Sequence, residues 1–216
     1  MRIAVLGTGG VGQTLGTRLV ETGHEVRMGS RSAGNEKAVA WVASAGDAAS
    51  EGSFRDAASW AEVVVNATSG LVSLVALEAA GTDHLAGKVL VDVANPLDFS
   101  HGFPPHVVQP DGRSLGESIQ AAFPAARVVK SLNTMNADVM VHPRSLSGAH
   151  SVFVAGDDAD AKAVVRSLLE GFGWASDEIL DVGGIAAARG LELYLPLWLD
   201  LMGAQGSPAF NIHVVR

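Results

Sequence analysis

The chain has 216 residues, of which 48% are hydrophobic, enough to bury a sizeable core in a single domain. Its formal net charge of -8 argues against nucleic acid or an anionic membrane surface as the main partner. The absence of cysteine rules out disulfides and thiol chemistry and argues against a zinc site, so no metal is expected.

The elements follow one another in a regular order. Residues 1–6 form a short apolar strand, followed by the glycine run Gly7-Thr8-Gly9-Gly10-Val11-Gly12 and a helix over 11–20. HEVRM, residues 24–28, reads as a second strand, and 35–44 as a helix. Residues 53–60 read as a short helix leading into a strand over 62–67, then a helix over 71–80 and a strand over 88–93. The stretch 95–111 holds Pro96, Pro104, Pro105 and Pro110 and reads as a loop. Ser114-x-x-Glu117 has the form of a capping box that opens a helix to Ala122. Strands over 127–132 and 151–155 follow, then a helix that begins after Gly156-Asp157-Asp158 and runs through Glu170. A last strand spans 178–182, and a last helix 186–202 is kinked or broken at Pro196.

Strand and helix alternate from end to end. The fold expected is therefore α/β: a Rossmann-type doubly wound, mostly parallel sheet with a C-terminal helical extension, as a single domain over 1–216. The proline-rich loop is the best candidate boundary, but it lies between strands of one sheet. The last helix is apolar nearly all round, so one face should pack on its own sheet and the other on a symmetric partner in a homodimer. Its apolar run is too short to span a bilayer and no leader is visible, which predicts a soluble, cytoplasmic protein.

Residues 7–12 fit G-x-G-x-x-G, and the strand before and helix after make this a dinucleotide-binding turn rather than a glycine-rich turn without a ligand. Gly7 makes the tight turn, Gly9 lets the backbone approach a pyrophosphate, and Gly12 lets helix and strand pack closely. The helix N-terminus offers free N–H groups to the phosphates. An NAD site would place an acid after the second strand; here stand Gly29, Ser30 and Arg31. A guanidinium fork pairs with a 2′-phosphate, and the hydroxyls of Ser30 and Thr8 add donors, so the cofactor expected is NADP(H).

Three strand ends carry small polar residues: Asn66-Ala67-Thr68-Ser69, Asn95-Pro96-Leu97 and Ser131-Leu132-Asn133-Thr134. At the carboxyl edge of the sheet these can meet the nicotinamide and its ribose, or simply end strands in turns. No general acid or base stands out. His24, His84, His101, His106, His142 and His150 read as surface histidines, Lys130 faces either solvent or the ligand crevice, and no catalytic residue is assigned. Hydride transfer between two cofactors needs alignment more than a side-chain acid, so this absence fits it.

Taken together, GTGGVGQTLGTRL, the GSR after strand two, DVANPL at 92–97, VKSLNTM at 129–135, VFVAGDD at 152–158 and the C-terminal LWLDLMGAQGSPAFN resemble the F420-dependent NADP oxidoreductases. These enzymes exchange hydride between NADP(H) and the 5-deazaflavin coenzyme F420. The resemblance runs over nearly the whole chain. It implies that Thr8, Ser30 and Arg31 hold the 2′-phosphate, and that Asn66, Ala67, Thr68, Asn95, Pro96 and Asn133 surround the nicotinamide. It also implies that residues 132–135 and 203–208 line a deazaflavin pocket; by loop position alone, Arg113 and Arg144 are candidate contacts for an anionic tail. One position departs: archaeal members carry a histidine where this chain has Asn133, and asparagine there also occurs in relatives that use other flavins. The functions in view are then hydride transfer between NADP(H) and a deazaflavin or flavin, reduction of a small organic substrate, or NADP(H) sensing without catalysis. An open crevice beside the nicotinamide favours the first, and a sealed pocket the last.

Overall fold

The computed structural model describes residues 1–215. The first half holds strands β1 (Arg2–Leu6), β2 (Glu25–Ser30), β3 (Ala49–Ser53), β4 (Val63–Asn66) and β5 (Val89–Asp92). Between them run helices α1 (Gly10–Glu21), α2 (Glu36–Ala45), α3 (Phe54–Trp60), α4 (Ser73–Ala80) and α5 (Thr82–Leu85). A two-stranded antiparallel pair, β6 (Leu97–Asp98) and β7 (His106–Val107), precedes α6 (Leu115–Ala122). Then come β8 (Arg127–Ser131), α7 (Ala137–Val141), β9 (Val152–Ala155), α8 (Ala159–Phe172) and β10 (Ile179–Asp181). Helices α9 (Ala188–Leu193) and α10 (Leu195–Gln205) end the chain's regular structure.

Eight strands form one sheet in the order β10-β9-β8-β5-β4-β1-β2-β3, every pair parallel except β8 with β9. Parallel strands need crossover helices, which cover both faces and leave the central strands as continuous apolar runs. Alternate residues of β1 therefore enter different cores. Ile3 and Val5 pack with Leu15 and Leu19 of α1 and Val165 and Phe172 of α8, while Ala4 and Leu6 pack with Ala57 of α3, Leu77 of α4 and Ile119 of α6. The expected doubly wound fold is what the chain adopts.

The strand order reverses at β1, which lies between β2 and β4. In register, Leu6 meets Gly29 on one side and Asn66 on the other, Asn66 meets Asp92, and Asp92 meets Lys130. The sheet thus brings the ends of β1, β2, β4, β5 and β8 to one edge at the switch point, where open α/β sheets bind ligands.

Departures from the sequence expectation are local. Strand β3, ASEGS, has neither alternation nor branched residues, and α7 is only five residues long, too short to show a period. Part of the proline-rich loop pairs as β6 and β7. The last helix is two: a 3₁₀ turn at Ile185–Ala187 leads into α9, and α10 restarts after Tyr194 with Pro196 in its first turn, where its missing N–H costs nothing. No helix among the described residues is long and apolar enough to cross a membrane.

Candidate functional site

The glycine loop begins with Gly7 at φ 121°, where its N–H donates to the Gly29 carbonyl at 2.9 Å and a β-carbon would overlap the Ala67 carbonyl. A β-carbon on Gly12 would overlap the Gly7 carbonyl, so the helix can approach the strand only without one. Gly9 and Gly10 differ: apart from their chain neighbours and the backbone of their own helix, no atom lies within 4 Å of where their β-carbons would be. Packing does not require their smallness, and the face they leave open exposes the backbone to a ligand. Gly9 is the N-cap of α1, no side chain caps that end, and no acid lies in the first turn. The residues present therefore fit an anionic group at the helix N-terminus.

From this loop opens a cleft of about 570 Å³, lined on one side by Thr8, Gly9, Ser30, Arg31 and Asn35. Val72, Val75 and Ala76 form part of an apolar wall. Arg31 is exposed at the end of β2 and makes no ion pair among the described residues. Ser30 is 5% exposed, and its hydroxyl donates to the Ser32 carbonyl at 2.6 Å. As it stands it offers a lone pair rather than the proton expected of it. Sequence reasoning missed Asn35, whose side-chain oxygen caps α2 by accepting from the N–H groups of Lys37 and Ala38. The signal was there: an asparagine opening a helix just beyond the Arg31 loop.

A second cavity of about 250 Å³ shares Ala67 and Thr68 with the cleft. Val11, Asn95, Asn133 and Met135 contribute to one part, and Leu195, Trp198 and Leu199 of α10 to another. Asn95 and Asn133 clasp each other: Asn95 Nδ2 donates to the Asn133 carbonyl at 2.8 Å, and Asn133 Nδ2 donates to Asn95 Oδ1 at 2.9 Å. Asn133 Nδ2 also donates to the Leu191 carbonyl at 3.1 Å. Two acceptors at one end of the amide require nitrogen there, which fixes the orientation of Asn133. Its Oδ1 is buried without a partner. Leu132, just before it, is held at φ 64°, a conformation a leucine rarely adopts; strain of this kind gathers at binding sites. Residues 203–208, expected at this pocket, are not among its lining; Leu195, Trp198 and Leu199, from the first half of α10, supply that wall.

Asn66 and Pro96 do not face either opening. Asn66 is fully buried: its Nδ2 donates to Ser73 Oγ at 3.0 Å and Asp92 Oδ1 at 2.9 Å, while its Oδ1 accepts from Thr68 Oγ1 at 2.7 Å. It therefore sets the position of Thr68, which both cavities share. Pro96 is buried beneath Gly70, where a β-carbon would overlap the Asn95–Pro96 peptide. Gly10 and Gly12 likewise do not line the cleft.

Lys130 faces neither solvent nor crevice. It is buried, with Nζ 2.8 Å from Asp92 Oδ2 and 3.0 Å from Glu192 Oε1, and it also donates to the Ala94 carbonyl. Burial works to lower its pKa, but the two carboxylates outweigh burial and hold it above the ordinary lysine value. His150 is buried rather than superficial, bonded to the Pro143 carbonyl at 2.9 Å and to Asn211 Nδ2 at 2.9 Å. Arg144 is paired with Glu178, so it is not a free contact for an anionic tail.

A model of the family described as NADP oxidoreductase coenzyme F420-dependent matches residues 2–96. A solved structure from Arthrobacter sp. FB24, described as a candidate F420-dependent NADP-reductase, is 49% identical and covers 100% of both chains with a TM-score of 0.94. The F420-dependent NADP reductase of Methanothermobacter marburgensis is 30% identical over 214 residues, 93% of this chain and 92% of that protein. Metalloreductase STEAP3 of Rattus norvegicus is 32% identical over 208 residues, which are 91% of this chain but 38% of that protein. The chain thus spans well under half the length of STEAP3. With a whole-length relative at this identity, and a glycine loop, Arg31 cleft and adjoining cavity in place, the chain belongs to the F420-dependent NADP oxidoreductase family.

Proposed function

We propose that the protein transfers hydride directly between NADP(H), held in the glycine-loop cleft, and a deazaflavin or flavin held in the adjoining cavity. The observation that carries this is the shared wall: Ala67 and Thr68 border both spaces, so a ring in one lies beside a ring in the other. Among the described residues the second cavity is lined by no titratable side chain. That suits hydride transfer, the chemistry the two rings would supply when bound, because the chain's own part is then alignment and exclusion of water. The chain's own residues bind and orient. Arg31 meets the 2′-phosphate, the N-terminus of α1 meets the pyrophosphate, and Thr68, Asn95 and Asn133 border the reacting rings. The opening of the second cavity beside Thr68 favours catalysis over sensing.

The same reading has the chain act as a homodimer. Leu193 and Leu197 on α9 and α10 are each 54% exposed, an apolar surface that a second copy would cover. A mass of one chain in solution at micromolar concentration would refute it.

The direct assay mixes the protein with NADPH and oxidised F420 in the absence of oxygen and follows the deazaflavin's visible absorbance. Catalytic loss of that absorbance is expected, far slower with NADH. Tight NADPH binding with no reduction of F420, FMN or FAD would overturn the proposal.

A further inference from the structure

Unpartnered polar atoms are few in this protein, and they are not scattered. Six buried side-chain N or O atoms lack a hydrogen-bond partner among the described residues, and five belong to Asn133, Thr134, Tyr194, Trp198 and Asn211. These sit after β8, around the start of α10 and in the C-terminal arm that follows it. Native proteins rarely leave such groups unpaired, so a cluster of them calls for a ligand or a function.

Two of the five residues, Asn133 and Trp198, line the second cavity. Their orphaned atoms are opposite in kind. Asn133 Oδ1 can only accept, because its amide nitrogen is fixed by two carbonyl-type acceptors. Trp198 Nε1 can only donate. The indole is held by its ring rather than by its N–H: it stacks on Phe210 with centroids 5.4 Å apart and planes 21° from parallel. A carboxylate would satisfy Trp198 but repel the Asn133 oxygen, an amine would satisfy only Asn133, and a hydrocarbon would satisfy neither. The ligand that fits presents a donor and an acceptor together.

We propose that Trp198 is a specificity-determining residue of the second cavity. Its indole N–H donates to a ring carbonyl of the bound ligand, while the neighbouring ring N–H donates to Asn133 Oδ1. The edge recognised is an imide, the C(=O)–NH–C(=O) unit that deazaflavins and flavins share. This rests on the second-ligand assignment made above. The nicotinamide carboxamide has the same two kinds of group, and titration with NADP⁺ alone tells the two ligands apart.

The test compares the intact protein with Trp198→Phe, which keeps a ring to stack on Phe210 and removes the N–H, and with Trp198→His, which restores a ring donor. Each is titrated with NADP⁺, and then, saturated with NADP⁺, with oxidised F420 and separately with FMN. Trp198→Phe should bind its flavin-type ligand about tenfold more weakly, as expected for one lost hydrogen bond to a buried group, with NADP⁺ affinity unchanged and partial recovery in Trp198→His. The F420 and FMN titrations show which ring system the edge serves. Unchanged F420 and FMN binding in Trp198→Phe would overturn the assignment, as would an equal loss of NADP⁺ affinity. Failure of the unmodified protein to bind either ring would remove the second-ligand reading itself and this inference with it.

Discussion

Lys130 Nζ lies 3.0 Å from Glu192 Oε1, with both side chains fully excluded from solvent, and this pair ties the C-terminal helices to the middle of the sheet. Asp92 completes a buried group of one cation and two carboxylates. The excess negative charge is met by N–H donors. Leu115 and Gly116, in the first turn of α6, donate to Glu192 at 2.9 and 3.1 Å, and Asn66 Nδ2 and the Ala94 N–H donate to Asp92. A continuous polar chain thus runs from Thr68, at the shared wall, through Asn66, Asp92 and Lys130 to Glu192. The residue before Glu192 is Leu191, whose carbonyl holds Asn133. The wall between the cavities and α9, the helix that leads into α10, are positioned by one network.

Removing the cation from that network should be costly. Lys130→Met leaves two carboxylates buried without their counter-ion, and a broken buried pair typically costs about 3–5 kcal/mol. Urea unfolding should show a loss of that size. A loss below about 1 kcal/mol would mean that the carboxylates find other partners or take up protons cheaply.

Lys130 also marks the limit of what the sequence reveals. One lysine in an apolar strand is visible there, but its partners lie 38 residues earlier and 62 residues later, and no local pattern pairs them. The glycine loop is the reverse case: the strand, Gly7, Gly12 and the helix are contiguous, so the turn and its close packing are readable from spacing alone. Asn66 illustrates a third kind. The residue type at a strand end was informative, but whether it points into the crevice or back to Asp92 depends on a neighbouring strand. Asn35 was overlooked because a helix cap and a cleft wall look alike in sequence. The second cavity was the least legible, because its wall comes from α10, far from β8 in the chain.

Arg31→Ala should separate the two nicotinamide cofactors. One charge-assisted contact to a 2′-phosphate is worth about 2 kcal/mol, roughly thirtyfold in affinity. NADPH should weaken by that factor and NADH hardly at all, as read by titration of both. Equal losses would place Arg31 outside 2′-phosphate recognition.

The glycine loop allows packing and ligand effects to be told apart. Gly9→Ala adds a methyl group that meets no atom beyond its own stretch of chain, so the melting temperature should stay within a few degrees while NADP⁺ affinity falls. Gly12→Ala drives a methyl group into the Gly7 carbonyl, so both stability and affinity should fall. Undiminished NADP⁺ affinity in Gly9→Ala would show that no phosphate approaches that face.

Acid stability should carry the signature of Glu117. The Arg189 guanidinium, together with the Ser114 N–H and hydroxyl, holds its carboxyl down to about 2 from an ordinary 4.5. A depressed carboxyl contributes stability that is fully present above 4.5 and is lost as pH falls towards 2. Stability measured across this range should therefore decline less steeply in Glu117→Gln than in the unmodified protein. Parallel curves would assign the acid loss to other groups.

Direct transfer between two adjacent rings is tested most directly by isotope tracing. The protein would be run without oxygen on F420 with NADPH deuterated at the transferring C4 position, and the reduced product weighed by mass spectrometry. Direct transfer predicts one deuterium per product molecule at the deazaflavin C5, a carbon-bound position that does not wash out in water. A product carrying only solvent hydrogen would contradict the arrangement in which Ala67 and Thr68 set the two rings side by side.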